Sequence, residues 1–136
     1  MVIPVLKNSF KIKVEDEFVT IANMESFEIS FDGQVQTWTP FELDGFQRAL
    51  KTGLALSLSS DIKREYGDAG NDALWETAML VGEDCTKEFQ WTMVDGTIVT
   101  FNAVVNVESL GGSATDVEAM SVSFTVDGKP TIQPKA

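Results

Sequence analysis

Tyr66-Gly67-Asp68-Ala69-Gly70-Asn71-Asp72-Ala73-Leu74-Trp75-Glu76-Thr77-Ala78-Met79-Leu80-Val81-Gly82 is the one helix signal in a chain that otherwise alternates like β-structure. Asn71 reads as the N-cap, because its side-chain oxygen can accept from a free N–H of the first turn. Asp72 places negative charge near the positive end of the helix dipole. Gly82 suits the left-handed position just past a C-terminus, where a side chain would clash. The spacing therefore predicts a helix over about 71–82. Leu74, Ala78 and Val81 fall on one face, with Trp75 and Met79 beside them. A stripe that wide needs a sheet to lie on.

Strand patterns stand on both sides of it. Upstream, Phe10, Ile12 and Val14 alternate with Lys11, Lys13 and Glu15, the signature of a half-buried strand. Glu15-Asp16-Glu17 makes an acidic turn, and Val19 and Ile21 resume the alternation. Phe27, Ile29 and Phe31 continue it, Asp32-Gly33 reads as a tight turn or bulge, and Gln34–Thr39 is extended up to Pro40. Leu54, Leu56 and Leu58 form a further strand towards Ile62. Downstream, Phe89, Trp91 and Met93 alternate with polar residues up to Asp95-Gly96, the strongest hairpin signal present. The return strand carries Val99, Phe101, Ala103, Val105 and Val107 on one face. After a glycine-containing connection at 110–116, Met120, Val122, Phe124 and Val126 form the last strand, which Asp127-Gly128 is expected to turn.

The segment from Trp38 to Gly53 differs. It has neither strand alternation nor a helical period of useful length, yet it carries Phe41, Leu43, Phe46 and Leu50. Two readings stand: a loop or short helix folded onto the core, or a long loop whose aromatic residues another subunit covers. The whole pattern predicts a mainly β fold, an antiparallel β-sandwich or flattened barrel. It includes one packed α-helix (about 71–82), a long loop (about 38–53), an N-terminal arm (1–8) and a C-terminal arm (129–136). Residues 1–136 form a single domain in this reading.

Composition narrows the function. Of 136 residues, 43% are hydrophobic, so the chain can build a core. The net charge is -11, from 21 acidic against 10 basic residues, a field that repels nucleic acid and anionic membranes. No apolar run reaches membrane-span length and no signal-peptide pattern opens the chain, features that fit folding in the cytoplasm. Cys85 is the single cysteine, expected to be a small half-buried residue rather than a reactive thiol. There is no histidine, which removes the Ser-His-Asp and Cys-His systems and most catalytic zinc sites. Gly67-Asp68-Ala69-Gly70 has GxxG spacing but no basic neighbours for a nucleic-acid clamp. Asp68, Asn71 and Asp72 do not match the EF-hand ligand pattern and are read as capping residues. The chain is read as no enzyme, with no catalytic, metal or cofactor-binding residue and no cofactor.

The order of these features resembles the major tail tube proteins of long-tailed bacteriophages and related phage-tail-like particles. The resemblance spans nearly the whole chain. It rests on the strand at Phe27–Phe31, the loop from Trp38 to Gly53 and the strand at 54–59. The Gly67-Asp68 to Asn71 approach to the helix, the Trp91…Asp95-Gly96 hairpin and the closing Phe124-Thr125-Val126-Asp127-Gly128-Lys129-Pro130 complete it. It implies a virion structural protein that self-assembles into stacked hexameric rings, whose joined sheets form a channel for DNA ejection. Trp38, Phe41, Phe46 and Leu50 would then anchor the loop against a neighbouring subunit. Glu28, Asp32 and Glu88 would be candidate lumen-lining residues on polar strand faces, against the plainer reading of solvated surface charge. Partners implied are further copies of the chain and other tail proteins, such as initiator, terminator and tape measure. DNA would pass without specific binding, no membrane is involved, and assembly would occur in the host cytoplasm. Contractile and non-contractile tails fit equally. The alternative from another class is a monomeric β-sandwich binding module, such as a carbohydrate-binding one, presenting Trp38 as a stacking platform.

Overall fold

The computed structural model describes residues 2–134. Seven strands form one antiparallel sheet: β1 (Ser9–Val14), β2 (Glu17–Thr20), β3 (Met24–Trp38), β4 (Arg48–Lys63), β5 (Thr86–Thr92), β6 (Ile98–Gly111) and β7 (Ala119–Gln133). Their order across the sheet is β2-β1-β5-β6-β7-β4-β3. The sheet curls strongly. In a flat sheet five inter-strand spacings would hold β1 about 24 Å from β3. Instead the Phe10 ring of β1 meets the Phe27 ring of β3 edge-on at 4.9 Å, and both pack against Trp91 of β5. The result is a flattened barrel left open between β3 and the β1–β2 hairpin.

Alternation decides which side chains fill it. Phe10 and Ile12, Leu58 and Ile62, Phe89, Val99, Phe101 and Val105, and Met120, Val122 and Phe124 all point inward and are buried. Phe89 stacks on Phe101 at 5.8 Å and meets Phe124 edge-on at 5.1 Å, joining three neighbouring strands through aromatic contact. Leu74 of the helix closes the same cluster.

The helix α1 spans Ala69–Glu76, earlier and shorter than the sequence predicts. Its N-cap is Asp68, whose Oδ2 accepts from the Asn71 N–H at 2.9 Å and also from the Ala22 N–H at 3.3 Å. Thr77 ends it, because its hydroxyl and its N–H both turn back to the Leu74 carbonyl, at 2.7 and 3.2 Å. Gly82 does adopt a positive φ of 77°, but within a separate 3-10 turn at Gly82–Cys85. The expected stripe is accordingly shorter: Leu74 is buried and Trp75 half-buried, while Met79 and Val81 are exposed.

Other boundaries also move. Of the expected loop, Trp38 and 48–53 belong to strands, and only 39–47 links them, with a 3-10 turn at Phe41–Leu43. Asp32-Gly33 does not turn the chain; β3 runs through it, and the pairing slips between Gln34 and Val35. Asp127-Gly128 likewise lies inside β7, at an irregularity of the β6–β7 ladder. Beyond it Thr131, Ile132 and Gln133 pair with β6, so most of the expected C-terminal arm is strand. Of the N-terminal arm, Val5–Lys7 forms a 3-10 turn. Met1 of the N-terminal arm and Lys135 and Ala136 of the C-terminal arm lie outside the described residues. The Asp95-Gly96 hairpin forms as the sequence predicts, closed by the Met93 N–H donating to the Thr97 carbonyl at 2.8 Å.

Candidate assembly surfaces

Four strands build a polar wall. On its outer face Asn106, Ser123, Ser59 and Glu28 lie side by side across β6, β7, β4 and β3. Ser109, Ser121, Asp61 and Ser26 form the next row, and Val104, Thr125, Ser57 and Ser30 the row before. Short hydroxyl side chains dominate because the inward-facing partners of these strands carry the core. Asp61 is held down on the sheet by the hydroxyls of Ser121 and Ser26, which donate at 3.1 and 3.5 Å. A shallow groove on this face brings Glu28, Asp61 and Glu108 together. Lys63 stands at the end of the wall, with its Nζ 3.2 Å from Glu25. The groove itself is lined by carboxylates and hydroxyls without a lysine or arginine.

Among the described residues one edge of this wall is unpaired along its length and the other along part of it. β3 is the last strand of the sheet and carries no partner on its outer side along Met24–Trp38. On the other side β5 pairs with β6 only from Ile98 to Val104, so beyond Val104 the ladder joins β6 to β7 alone.

The second surface is a two-stranded ribbon. β4 pairs with β7 only from Ser57 to Lys63, so the chain from Phe31 to Leu56 leaves the sheet as a free hairpin. Its cross-strand pairs assign its faces. Phe31–Leu56, Gly33–Leu54 and Val35–Lys51 share one face; Gln36–Leu50 and Trp38–Arg48 share the other. Phe31, Val35, Leu50, Leu54, Trp38 and the tip residues Phe41 and Phe46 are all exposed. Apolar side chains thus stand on both faces and at the tip. An isolated two-stranded hairpin is marginal in water, so this one needs cover.

Among the residues singled out from sequence, Glu28 sits in the wall, and Asp32 lies two rows further along β3, opposite Ala55 at the base of the ribbon. Glu88 does not join them: it lies on β5, opposite Asn102, with its carboxylate 3.2 Å from Lys13 Nζ. Asp61 and Glu108 were missed, although the alternation of β4 and β6 places both on polar faces. Trp38, Phe41, Phe46 and Leu50 are brought together on the ribbon, with Trp38 and Leu50 on one face. The Arg48 guanidinium lies 6.0 Å from the Trp38 ring centroid. Trp75 and Trp91 are half-buried, and Trp91 donates through Nε1 to Asn8 Oδ1 at 2.9 Å. Cys85 is buried, and its thiol donates to the Leu80 carbonyl at 2.9 Å. No helix among the described residues is long and apolar enough to cross a membrane.

No protein-family model matches the sequence, and no curated protein matches it at a significant level. Solved structures do match. A chain in the tail of an empty gene transfer agent particle superposes with a TM-score of 0.80 at 20% identity, covering 98% of this chain and 100% of that one. The SPP1 tail tube subunit gives 0.70 at 14% identity, over 98% of this chain and 80% of the other. A chain of the sheath-tube complex of an extracellular contractile injection system gives 0.56 at 17% identity, over 97% and 91%. At such identities the likeness establishes the fold: this chain has the fold of phage-tail-like tube proteins.

Proposed function

We propose that the chain is the structural subunit of a tail tube, with no catalytic role. Copies join edge to edge into hexameric rings, the rings stack, and the four-stranded wall lines a channel through which DNA passes. The observation that carries this reading is the wall itself, β6-β7-β4-β3, open along β3 at one end and along β6 beyond Val104 at the other. Its four strands alternate in direction, so β6 of one copy laid beside β3 of the next continues the antiparallel pattern. Such joining removes two open edges that would otherwise invite uncontrolled pairing. The six-fold symmetry applied to the gene transfer agent tail, whose subunit shares this fold, supports six copies per ring.

The wall's chemistry fits a conduit. Glu28, Asp61 and Glu108, with Asp32 beyond them, present negative charge to a polyanion, and the serines between them present no long side chain to catch it. Glu88, neutralised by Lys13, contributes little to such a field. Trp38, Phe41, Phe46 and Leu50 serve as anchors on the ribbon against neighbouring copies. Other tail components would meet the ends of the tube, and assembly would take place in the host cytoplasm. Negative-stain electron microscopy of concentrated protein, with mass measured by light scattering, tests the proposal. Rings or hollow tubes are expected. A preparation that remains monomeric across the accessible concentration range, alone and with an initiating tail component, would overturn it.

A further inference from the structure

An apolar socket opens at the base of the ribbon. It has a volume of about 150 Å³, and Ile29, Phe31, Leu56, Trp91, Met93 and Ile132 are among the side chains that line it. No polar surface contributes to its lining. Two residues of its wall, Phe31 and Ile132, remain 66% and 64% exposed, so the socket is open rather than sealed. An enclosed cavity of roughly this size with an aliphatic and aromatic lining accepts a benzene molecule. It is the right size for one phenyl ring.

The same chain displays such a ring. Phe41, in the 3-10 turn at the ribbon tip, is fully exposed, with no neighbour to cover it. It cannot enter the socket of its own chain. From Phe31 at the socket to Trp38 the strand advances about 23 Å away from it, and Phe41 lies beyond that.

We infer that the socket receives the Phe41 ring of a second copy, so that tip and socket form a head-to-tail contact between subunits. This inference rests on the tube reading and gives it a specific joint. A head-to-tail contact uses two different patches on each copy, and so it propagates into a ring or a stack rather than stopping at a dimer.

A cross-linking experiment with two single-cysteine variants tests it. Phe41→Cys and Ile132→Cys are both exposed positions, and the native Cys85 is buried. With a short bis-maleimide, mixing the two variants should give a covalent dimer that neither gives alone. Phe41→Ala should raise the concentration needed for half-assembly at least about tenfold, from loss of one buried aromatic side chain. If the parent protein forms rings or tubes, but the mixed variants do not link and Phe41→Ala assembles normally, the socket joint is wrong while the tube reading survives. A link that forms in the Phe41→Cys variant alone also overturns the joint. A parent protein that never leaves the monomer, with no link in the mixture, overturns both.

Discussion

Asn71 offers a test in which two readings of one residue differ in magnitude. Read from sequence, it caps the helix; in the structure Asp68 caps and Asn71 joins three segments from a fully buried position. Its Nδ2 donates to the carbonyls of Ala22 and Lys63, at 3.1 and 2.9 Å. Its Oδ1 accepts from the Glu65 N–H at 3.0 Å and from Arg64 Nη1 at 2.9 Å. Losing a cap costs about 1 kcal/mol. Asn71→Ala instead removes four bonds worth about 1 kcal/mol each and leaves the half-buried carbonyls of Ala22 and Lys63 without this partner. Arg64 is spared the full penalty because it keeps Asp72 at 2.7 Å and the Glu65 carbonyl at 2.9 Å. The expected loss is about 3–5 kcal/mol, a fall in Tm of roughly 10–20 °C for a domain of this size. Asp68→Ala, which removes the actual cap, should cost only about 1–2 kcal/mol. Urea unfolding followed by far-ultraviolet circular dichroism, at a concentration where the subunit is monomeric, measures both. Equal losses near 1 kcal/mol would refute the assignment of Asn71 as the fastener.

Three further outcomes are expected. Gly70→Ala adds a Cβ 2.4 Å from the Thr20 carbonyl oxygen and 2.9 Å from its carbon, so the helix must move off β2. The mutation should destabilise by about 1–3 kcal/mol despite alanine's better helix propensity, and a rise in Tm would contradict the close approach. Tyr66 is the only tyrosine, and its hydroxyl lies 2.5 Å from a Glu118 carboxylate oxygen. That hydrogen bond, with desolvation and the carboxylate's charge, raises its pKa above the ordinary value, against the smaller opposing effect of Arg64. The contribution of the bond is complete below the ordinary tyrosine pKa and is lost as pH climbs through the raised native one. Glu118→Ala should therefore lower the midpoint of tyrosinate absorbance; an unmoved midpoint would discard the bond. Finally, replacing Glu28, Asp61 and Glu108 together with lysine should leave tubes intact in the microscope but slow DNA ejection from particles built with them. Unchanged ejection would remove these residues from the channel wall.

The fold was legible wherever alternation was clean. Every strand forecast from period-two patterning forms, and the Asp95-Gly96 turn sits where its chemistry requires. The misreadings come from residues with two physical uses. Asp68 and Asn71 can each cap a helix, and it is the partners that Asn71 finds in Ala22, Lys63, Arg64 and Glu65 that leave the cap to Asp68. Gly128 tolerates a turn, yet it sits within a strand where pairing slips instead of reversing, while of the two readings of Asp32-Gly33, turn or bulge, the slip beside it answers to the bulge. Thr77 can continue a helix or end it, and its hydroxyl bond to Leu74 ends this one. Nothing in a window around 71–82 records that.

The assembly surfaces show a second kind of limit. Exposed apolar residues on the ribbon were legible as an anomaly, because Trp38, Phe41, Phe46 and Leu50 fit no core-facing pattern. Which face each occupies was not, since the extra residue at Thr52 resets the alternation along β4 and sets Leu50 on the face opposite Leu54, beside Trp38. The wall was half legible. Glu28 follows from alternation within β3, but the grouping of Glu28 with Asp61 and Glu108 needs the order β6-β7-β4-β3, which adjacency in sequence does not supply. Glu88 illustrates the converse: its strand face was right and its neighbour decisive, because β1 lies beside β5 and brings Lys13 to it. A carboxylate acts as wall charge only where the next strand leaves it unneutralised. Glu28, Asp61 and Glu108 meet that condition on β3, β4 and β6, whereas Glu88 beside Lys13, and Glu25 beside Lys63 at the end of the wall, do not. The acid surface and the free edges therefore belong to the same four strands, and a subunit that joins its neighbours there turns one face of its sheet into the lining of whatever it encloses.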